Sequence, residues 1–474
     1  MAVAALMMFG TASAYGQIGG GGGGGAGGGG AGGQNGATNQ PTSGGVEIDS
    51  NHVLSTRMFT ADSKLLTRQR YKHAQASLNK ELQKSSELRK VSLVRLEKEV
   101  ARLKAEGKPV SDDIRYLAGL TRITHVFLYP EQNDIVIAGP AEGFFRTGEE
   151  RVVGMESGKA TLQLEDLVAA LRAFGPDGNR TSLISCSIDP TREGLQRLQT
   201  AMREVQSELG GRLTQITPNV ANYVGQKYYN SLGHQTITIN GVSNQTRFAQ
   251  VLAEADYRMK LYGIGVEQPP VRITSFISQA MPATGGAGKL QRWYFQPNYE
   301  CVKLNEDRNA MSLEGSGVKL VAEDESVSAS GKRTRKGGAN IASRRFCASF
   351  TKQYEKLASK ATVFGELRNL IDMSIVAAFI QKSDFYTKAN WDMSTFNDEE
   401  KFAIEVYPAP EKVAPVVNSV VKRGQLMTPI GGGVNIQPRV ALNSDKATVD
   451  TEGKVEAVRD SVEFNLAEGQ WWWD

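Results

Sequence analysis

Apolar residues recur at helical spacing in several separate stretches of the chain and alternate with polar ones in others. Leu162, Leu164, Leu167, Val168, Leu171 and Phe174 mark one face of a helix predicted over 162–174, which Gly175-Pro176 stops. A second helix is predicted over 190–209, with Asp189 as N-cap and Pro190 at the first helical position, and a third over 244–262. Phe346, Phe350, Tyr354 and Leu357, then Phe364, Leu367, Ile371 and Ile375, trace two more helices whose apolar stripes read as core. Between these lie short β-rich runs. Residues 123–129 and 135–138 form a hairpin about the turn 131–134, and strands are predicted at 182–188, 235–240, 271–277, 292–296, 317–321, 434–436 and 457–464. Strands alternating with helices predict a layered mixed α/β or α+β fold.

The stretch 62–106 breaks this rhythm. It contains neither Pro nor Gly until Gly107 and Pro109, and reads as one long helix, or two with a break. Twelve Lys or Arg stand there against six Asp or Glu, whereas the whole chain carries 55 against 51, a net +4. The chain as a whole is therefore too weakly charged to be a nucleic-acid binder by charge alone. The helix reads as a stripe packed on its own domain with a solvated basic face. The alternative is a docking helix for an envelope protein, a membrane surface or a polyanion. The expected layout is a basic amphipathic helix over 50–110, a mixed α/β domain over 111–290, and an α+β domain over 291–474 with a mobile polar loop at 323–345.

The beginning of the chain sets the expected compartment. An apolar run at 2–10 precedes Ala12-Ser13-Ala14, whose small first and third residues suit signal-peptidase cleavage, although no Lys or Arg precedes the run. A signal peptide over 1–14 is expected, and with it export to the periplasm, cell surface or envelope. Seventeen glycines fall within 16–45, so 15–45 reads as a disordered tether. The most apolar later stretch, 363–380, carries Glu366, Arg368 and Asp372, and no transmembrane span is expected in the mature chain.

Candidate chemistry is sparse. His52, His73, His125 and His234 are scattered, three cysteines cannot build a four-cysteine zinc site, and no nucleophile-elbow, metalloprotease or Cys-x-x-Cys motif occurs. No catalytic residue, metal or cofactor is assigned. Residues 281–290 resemble a phosphate loop only superficially: Ala283 replaces the first glycine and Leu290 the magnesium-holding Ser or Thr. Cys186, mid-strand, could form a thiol dyad with His125 or His234, but a buried structural thiol is the commoner state. Tyr129, Glu131, Asn133 and Asp134 at the hairpin turn, with Glu142 beyond it, could bind a cation or a partner, although turn chemistry accounts for the same residues. Lys332, Arg333, Arg335 and Lys336 form a basic run that could meet a polyanion, though no aromatic residue interleaves with it to stack bases. In an oxidising compartment Cys301 and Cys347 could pair, with Cys186 left free; three reduced thiols are the alternative.

Three runs carry a resemblance. Residues 126–144, containing Val126-Phe127-Leu128-Tyr129-Pro130-Glu131-Gln132-Asn133-Asp134, the octet Ile184-Ser185-Cys186-Ser187-Ile188-Asp189-Pro190-Thr191, and Phe364-Gly365-Glu366-Leu367-Arg368-Asn369-Leu370-Ile371-Asp372 are similar to an uncharacterised family of exported proteins from planctomycete bacteria. The similarity runs from about residue 50 onward. It implies an exported protein and supplies no activity, fold or site. The reading that results is a non-catalytic structural or binding component of the envelope. One rival is an exported hydrolase with a carboxylate or Cys–His site; the other is a polyanion binder using the basic helix and loop.

Overall fold

The computed structural model describes residues 45–57, 59, 61–210, 217–279, 289–298, 300–328, 330, 332–335, 338–417 and 430–474. The expected signal peptide, most of the tether, the phosphate-loop-like segment up to 288 and Lys336 lie outside the described residues.

The fold is mixed α+β, built on two sheets. The nine-stranded sheet runs in the order Val46–Ile48, Val53–Thr56, Lys412–Val413, Gln235–Asn240, Ile184–Pro190, Ile430–Ile436, Lys289–Pro297, Val318–Val327, Arg333–Arg335. The seven-stranded sheet runs Thr448–Val449, Val302–Leu304, Ala310–Leu313, His125–Tyr129, Asp134–Ala141, Ser86–Ser92, Trp472–Trp473. Each sheet draws strands from both sides of residue 290, so the chain does not divide into the sequential units expected at 110 and 290. One hydrophobic core is continuous from Val91 and Leu128 in the smaller sheet to Ile188 and Phe295 in the larger.

The helix Thr362–Lys382 is buried from Val363 to Ile380 and packs on the helices Leu164–Ala173, Arg247–Gly263 and Ile341–Lys360. Its stripe of Phe364, Leu367, Ile371 and Ile375 is core, as the spacing predicts. Among the described residues no helix is long and apolar enough to cross a membrane. The strand Ile430–Ile436 needs its glycines for close approach: a Cβ on Gly432 would fall 2.1 Å from the Trp293 carbonyl oxygen, and one on Gly433 2.0 Å from that of Cys186.

Several expectations are corrected. The 62–106 stretch is three helices and a strand, Ala61–Ser77, the one-turn Lys80–Gln83, the strand Ser86–Ser92 and Leu93–Ala105. The cause is Arg89, which is fully buried: its guanidinium donates to the carbonyls of Ala118 and Lys84 and pairs with Asp474. Tertiary partners there outweigh helix propensity. The expected mobile loop at 323–345 is largely a hairpin, Val318–Val327 against Arg333–Arg335, leading into Ile341–Lys360. Asp189 does not cap a helix; it lies in the strand Ile184–Pro190, and Thr191 caps Arg192–Leu209 by accepting from the Gly194 amide at 2.9 Å. Residues 271–275 are irregular, and 457–464 is helical up to Asp460 instead of extended. The helix Pro218–Leu232, capped by Thr217, has no counterpart among the sequence-predicted elements.

Candidate ligand-binding site

The residues singled out by sequence do not converge. Tyr129 ends a buried strand; its hydroxyl donates to the Arg459 carbonyl at 2.7 Å and its ring lies 5.1 Å beneath the Arg459 guanidinium. Asp134 is buried and accepts from Ser92 Oγ at 2.7 Å and from the Ile135 amide at 2.8 Å. Burial nevertheless pushes its carboxyl up to about 6. Glu142 is buried too, accepting from the amides of Glu156 and Ser157. These three are occupied within the fold. Glu131 is exposed, and Asn133 adopts the left-handed conformation that closes the turn. Asn133 and Asp134 do line an open groove with Arg95, Lys98 and Arg102 of the helix Leu93–Ala105.

The basic run is likewise drawn inward. Arg333 Nε donates to Glu325 Oε2 at 2.7 Å and its Nη2 lies 3.3 Å from Asp189. Arg292 bonds the same two carboxylates, at 2.6 Å to Glu325 and 3.1 Å to Asp189, which closes a four-membered ring. Lys332 is exposed beside it, and Arg335 pairs through its backbone with Glu325.

The cysteines are three free, buried thiols, which corrects the expected Cys301–Cys347 pair. Cys301 precedes a strand of the smaller sheet, while Cys347 sits on a helix against the larger one. Cys186 is mid-strand, opposite Ile239 and Val434, and the charges nearest its thiol are those of Asp256, Lys260 and Asp189. Burial holds its thiol well above the ordinary range, which withholds the thiolate a dyad requires. His125 stacks on Phe127 and bonds Thr124 Oγ1 through Nδ1 at 3.0 Å. Among the described residues no three His, Cys, Asp or Glu side chains group to hold a metal ion.

The better-formed site is a cleft of about 380 Å³. Five separated parts of the chain build it: Arg115 and Tyr116, Arg146 and Glu150, Leu164 and Glu165, Arg247, and the segment 402–407. Glu165 stands in the first turn of the helix Leu164–Ala173, where the helix dipole favours a carboxylate. Tyr407 Oη donates to its Oε1 at 2.9 Å. Burial pushes the Glu165 carboxyl up, opposed by the charges of Arg247, Arg115 and Arg146.

Arg247 opens the helix Arg247–Gly263, a place where the dipole disfavours a cation, and is held there by the buried carboxylates of Asp166 and Glu366. The chain of charges continues inward. Arg151 joins Glu366 to Glu254, and Arg258 joins Glu254, at 2.9 Å, to Glu267, at 2.6 Å. Asp166 is almost wholly buried; burial pushes its carboxyl up to about 7, and its Oδ1 has no hydrogen-bond partner.

At the mouth the guanidiniums are looser. Arg146 donates to Tyr116 Oη at 2.6 Å and lies 3.4 Å from Glu150, which also pairs with Arg70 at 2.8 Å. Arg115 is exposed; its Nε donates to the Val110 carbonyl at 3.1 Å, and it pairs with no carboxylate among the described residues.

Residues 186–276 match the model of a family described as a protein of unknown function (DUF1598). The chain contains a DUF1598 domain. No curated protein and no solved structure matches the chain. The DUF1598 stretch spans the strands Ile184–Pro190 and Gln235–Asn240 and the helices between and after them, and contributes Arg247 to the cleft. The remaining lining residues lie outside it. No periodicity or motif gathers them, and the only sequence cue was the pair Glu165-Asp166 opening a helix, which dipole complementarity explains equally well.

Proposed function

We propose that this protein is an exported, non-catalytic binding component of the cell envelope, and that its ligand site is the cleft between Arg115, Arg146, Glu165 and Tyr407. The observation that carries the reading is Arg115: a guanidinium at the mouth of a polar cleft, paired with no carboxylate among the described residues. A planar cation so placed suits capture of a carboxylate or phosphate group. A volume of about 380 Å³ is that of a small-molecule site. Export rests on the Ala12-Ser13-Ala14 triplet and on the likeness to exported planctomycete proteins. Mass spectrometry of the native protein tests it, with an N-terminus at or near Tyr15 expected and an intact Met1 contradicting it. Calorimetric titration of the full chain with succinate and with inorganic phosphate tests the site. Saturable binding that Arg115→Ala abolishes is expected; heats that do not saturate, or that survive the substitution, contradict it.

One observation favours a second reading, a hydrolase. A carboxyl raised by burial and facing a cleft, as Glu165 is, suits a general acid. Turnover of chromogenic ester or glycoside substrates, lost in Glu165→Gln, would replace the binding reading with this one.

A further inference from the structure

The cleft has two electrical ends. At the inner end Glu165 and Arg247 line the cleft, and behind them Asp166, Glu366, Glu254 and Glu267 pair with Arg247, Arg151 and Arg258, so that five carboxylates meet three guanidiniums in this network. At the mouth the imbalance reverses. Arg70 and Arg146 share the carboxylate of Glu150, and Arg115 forms no ion pair among the described residues, so guanidiniums outnumber paired carboxylates there. The inner end is also the drier one: Asp166, Glu254 and Glu366 are almost wholly buried, whereas Arg115 and Arg146 are exposed. A buried carboxylate in surplus is stabilised either by a proton or by an incoming cation. Burial raises the carboxyls of Glu165 and Asp166, against the charge of Arg247 beside both.

We propose that the cleft takes a zwitterionic ligand of amino-acid or short-peptide size, with its ammonium group against Glu165 and its carboxylate on Arg115 and Arg146. This rests on the reading of the cleft as a binding site and names what it binds. Glu165 Oε1 already accepts from Tyr407, which fixes the carboxylate while leaving Oε2 for the ammonium. Arg115 and Arg146 offer guanidinium forks to the carboxylate, with Tyr116 holding Arg146 in place at 2.6 Å. Each end adds affinity: a simple anion binds at the mouth but leaves Glu165 uncompensated, and a simple cation meets Glu165 but leaves the mouth unneutralised, so the zwitterion binds more tightly than either.

The test is a calorimetric titration of the full chain with a panel of Ala-X dipeptides covering every side-chain class, each as the free zwitterion, the N-acetyl derivative and the C-terminal amide. The free form of at least one dipeptide is expected to bind, and each blocked form to bind about tenfold or more weakly, the loss of one charge-assisted contact. Glu165→Gln should abolish discrimination against the acetylated form and keep that against the amide. Arg115→Gln combined with Arg146→Gln should do the reverse. The ligand-side comparison stands even if a variant fails to fold. An acetylated form binding as tightly as the free dipeptide overturns the zwitterion and leaves an anion site. An amide binding as tightly overturns it in favour of a cation. No binding by any form, with succinate and phosphate silent as well, overturns the zwitterion and the binding reading together.

Discussion

Tyr407 donates its hydroxyl hydrogen to Glu165 at 2.9 Å, joining residues 242 positions apart across the mouth of the cleft. Its backbone amide also donates to the Gln245 carbonyl at 2.8 Å, two residues before Arg247. One residue thus ties the segment 402–407 to the starts of both helices that supply the charged floor.

Buried carboxyls, in that floor and elsewhere in the fold, make stability depend on pH. Asp166 is raised to about 7, Asp256 and Asp134 to about 6, and Glu165, Glu366 and Glu267 upward, in each case chiefly by burial. The folded chain therefore holds these protons more tightly than the unfolded chain does. Their stabilising contribution is full below the ordinary carboxylate range and is lost as pH rises through about 7. The urea midpoint is expected to fall between about pH 5 and about pH 8, and Asp166→Asn to flatten that fall by on the order of 1–3 kcal/mol. An unchanged pH dependence in Asp166→Asn would contradict the assignment.

Much of the fold was legible and little of the site. The stripes at 346–357 and 364–375 announced their helices because a buried face imposes a 3–4 residue spacing whatever it packs against. The strand Ser86–Ser92 was not legible, since its Arg89 and Lys90 suit a helix, and what holds them extended is pairing with Asp134–Ala141 and Trp472–Trp473 together with the distant partners Ala118 and Asp474. The same logic hid Arg333: the sequence displays a basic run, while the compensating Asp189 and Glu325 arrive by strand pairing. The cleft was hidden most completely, because its residues come from five segments joined only by the fold.

The ring of Asp189, Arg292, Glu325 and Arg333 should respond unequally to truncation. Arg292 is more buried than Arg333, their side chains being 8% and 25% exposed. Glu325→Ala strands Arg292 without its 2.6 Å partner and should cost about 3 kcal/mol, whereas Arg333→Ala should cost about 1 kcal/mol. Urea unfolding of the two variants and their double mutant checks both: equal single costs would contradict the burial argument, and strictly additive costs would mean that the ring does not act as a unit.

The thiols should all be free and shielded. A thiol reagent applied to the native chain without reductant should find none of Cys186, Cys301 and Cys347, and should find all three after unfolding. Only one thiol in the unfolded, unreduced chain would restore the Cys301–Cys347 bridge.

The central claim is that the cleft is where this protein meets its ligand. Hydrogen–deuterium exchange of the full chain, with and without a saturating unblocked dipeptide, tests it most directly. Protection confined to 112–116, 144–152, 163–166, 246–248 and 402–407 is the expected result, and protection elsewhere, or none, would contradict the account.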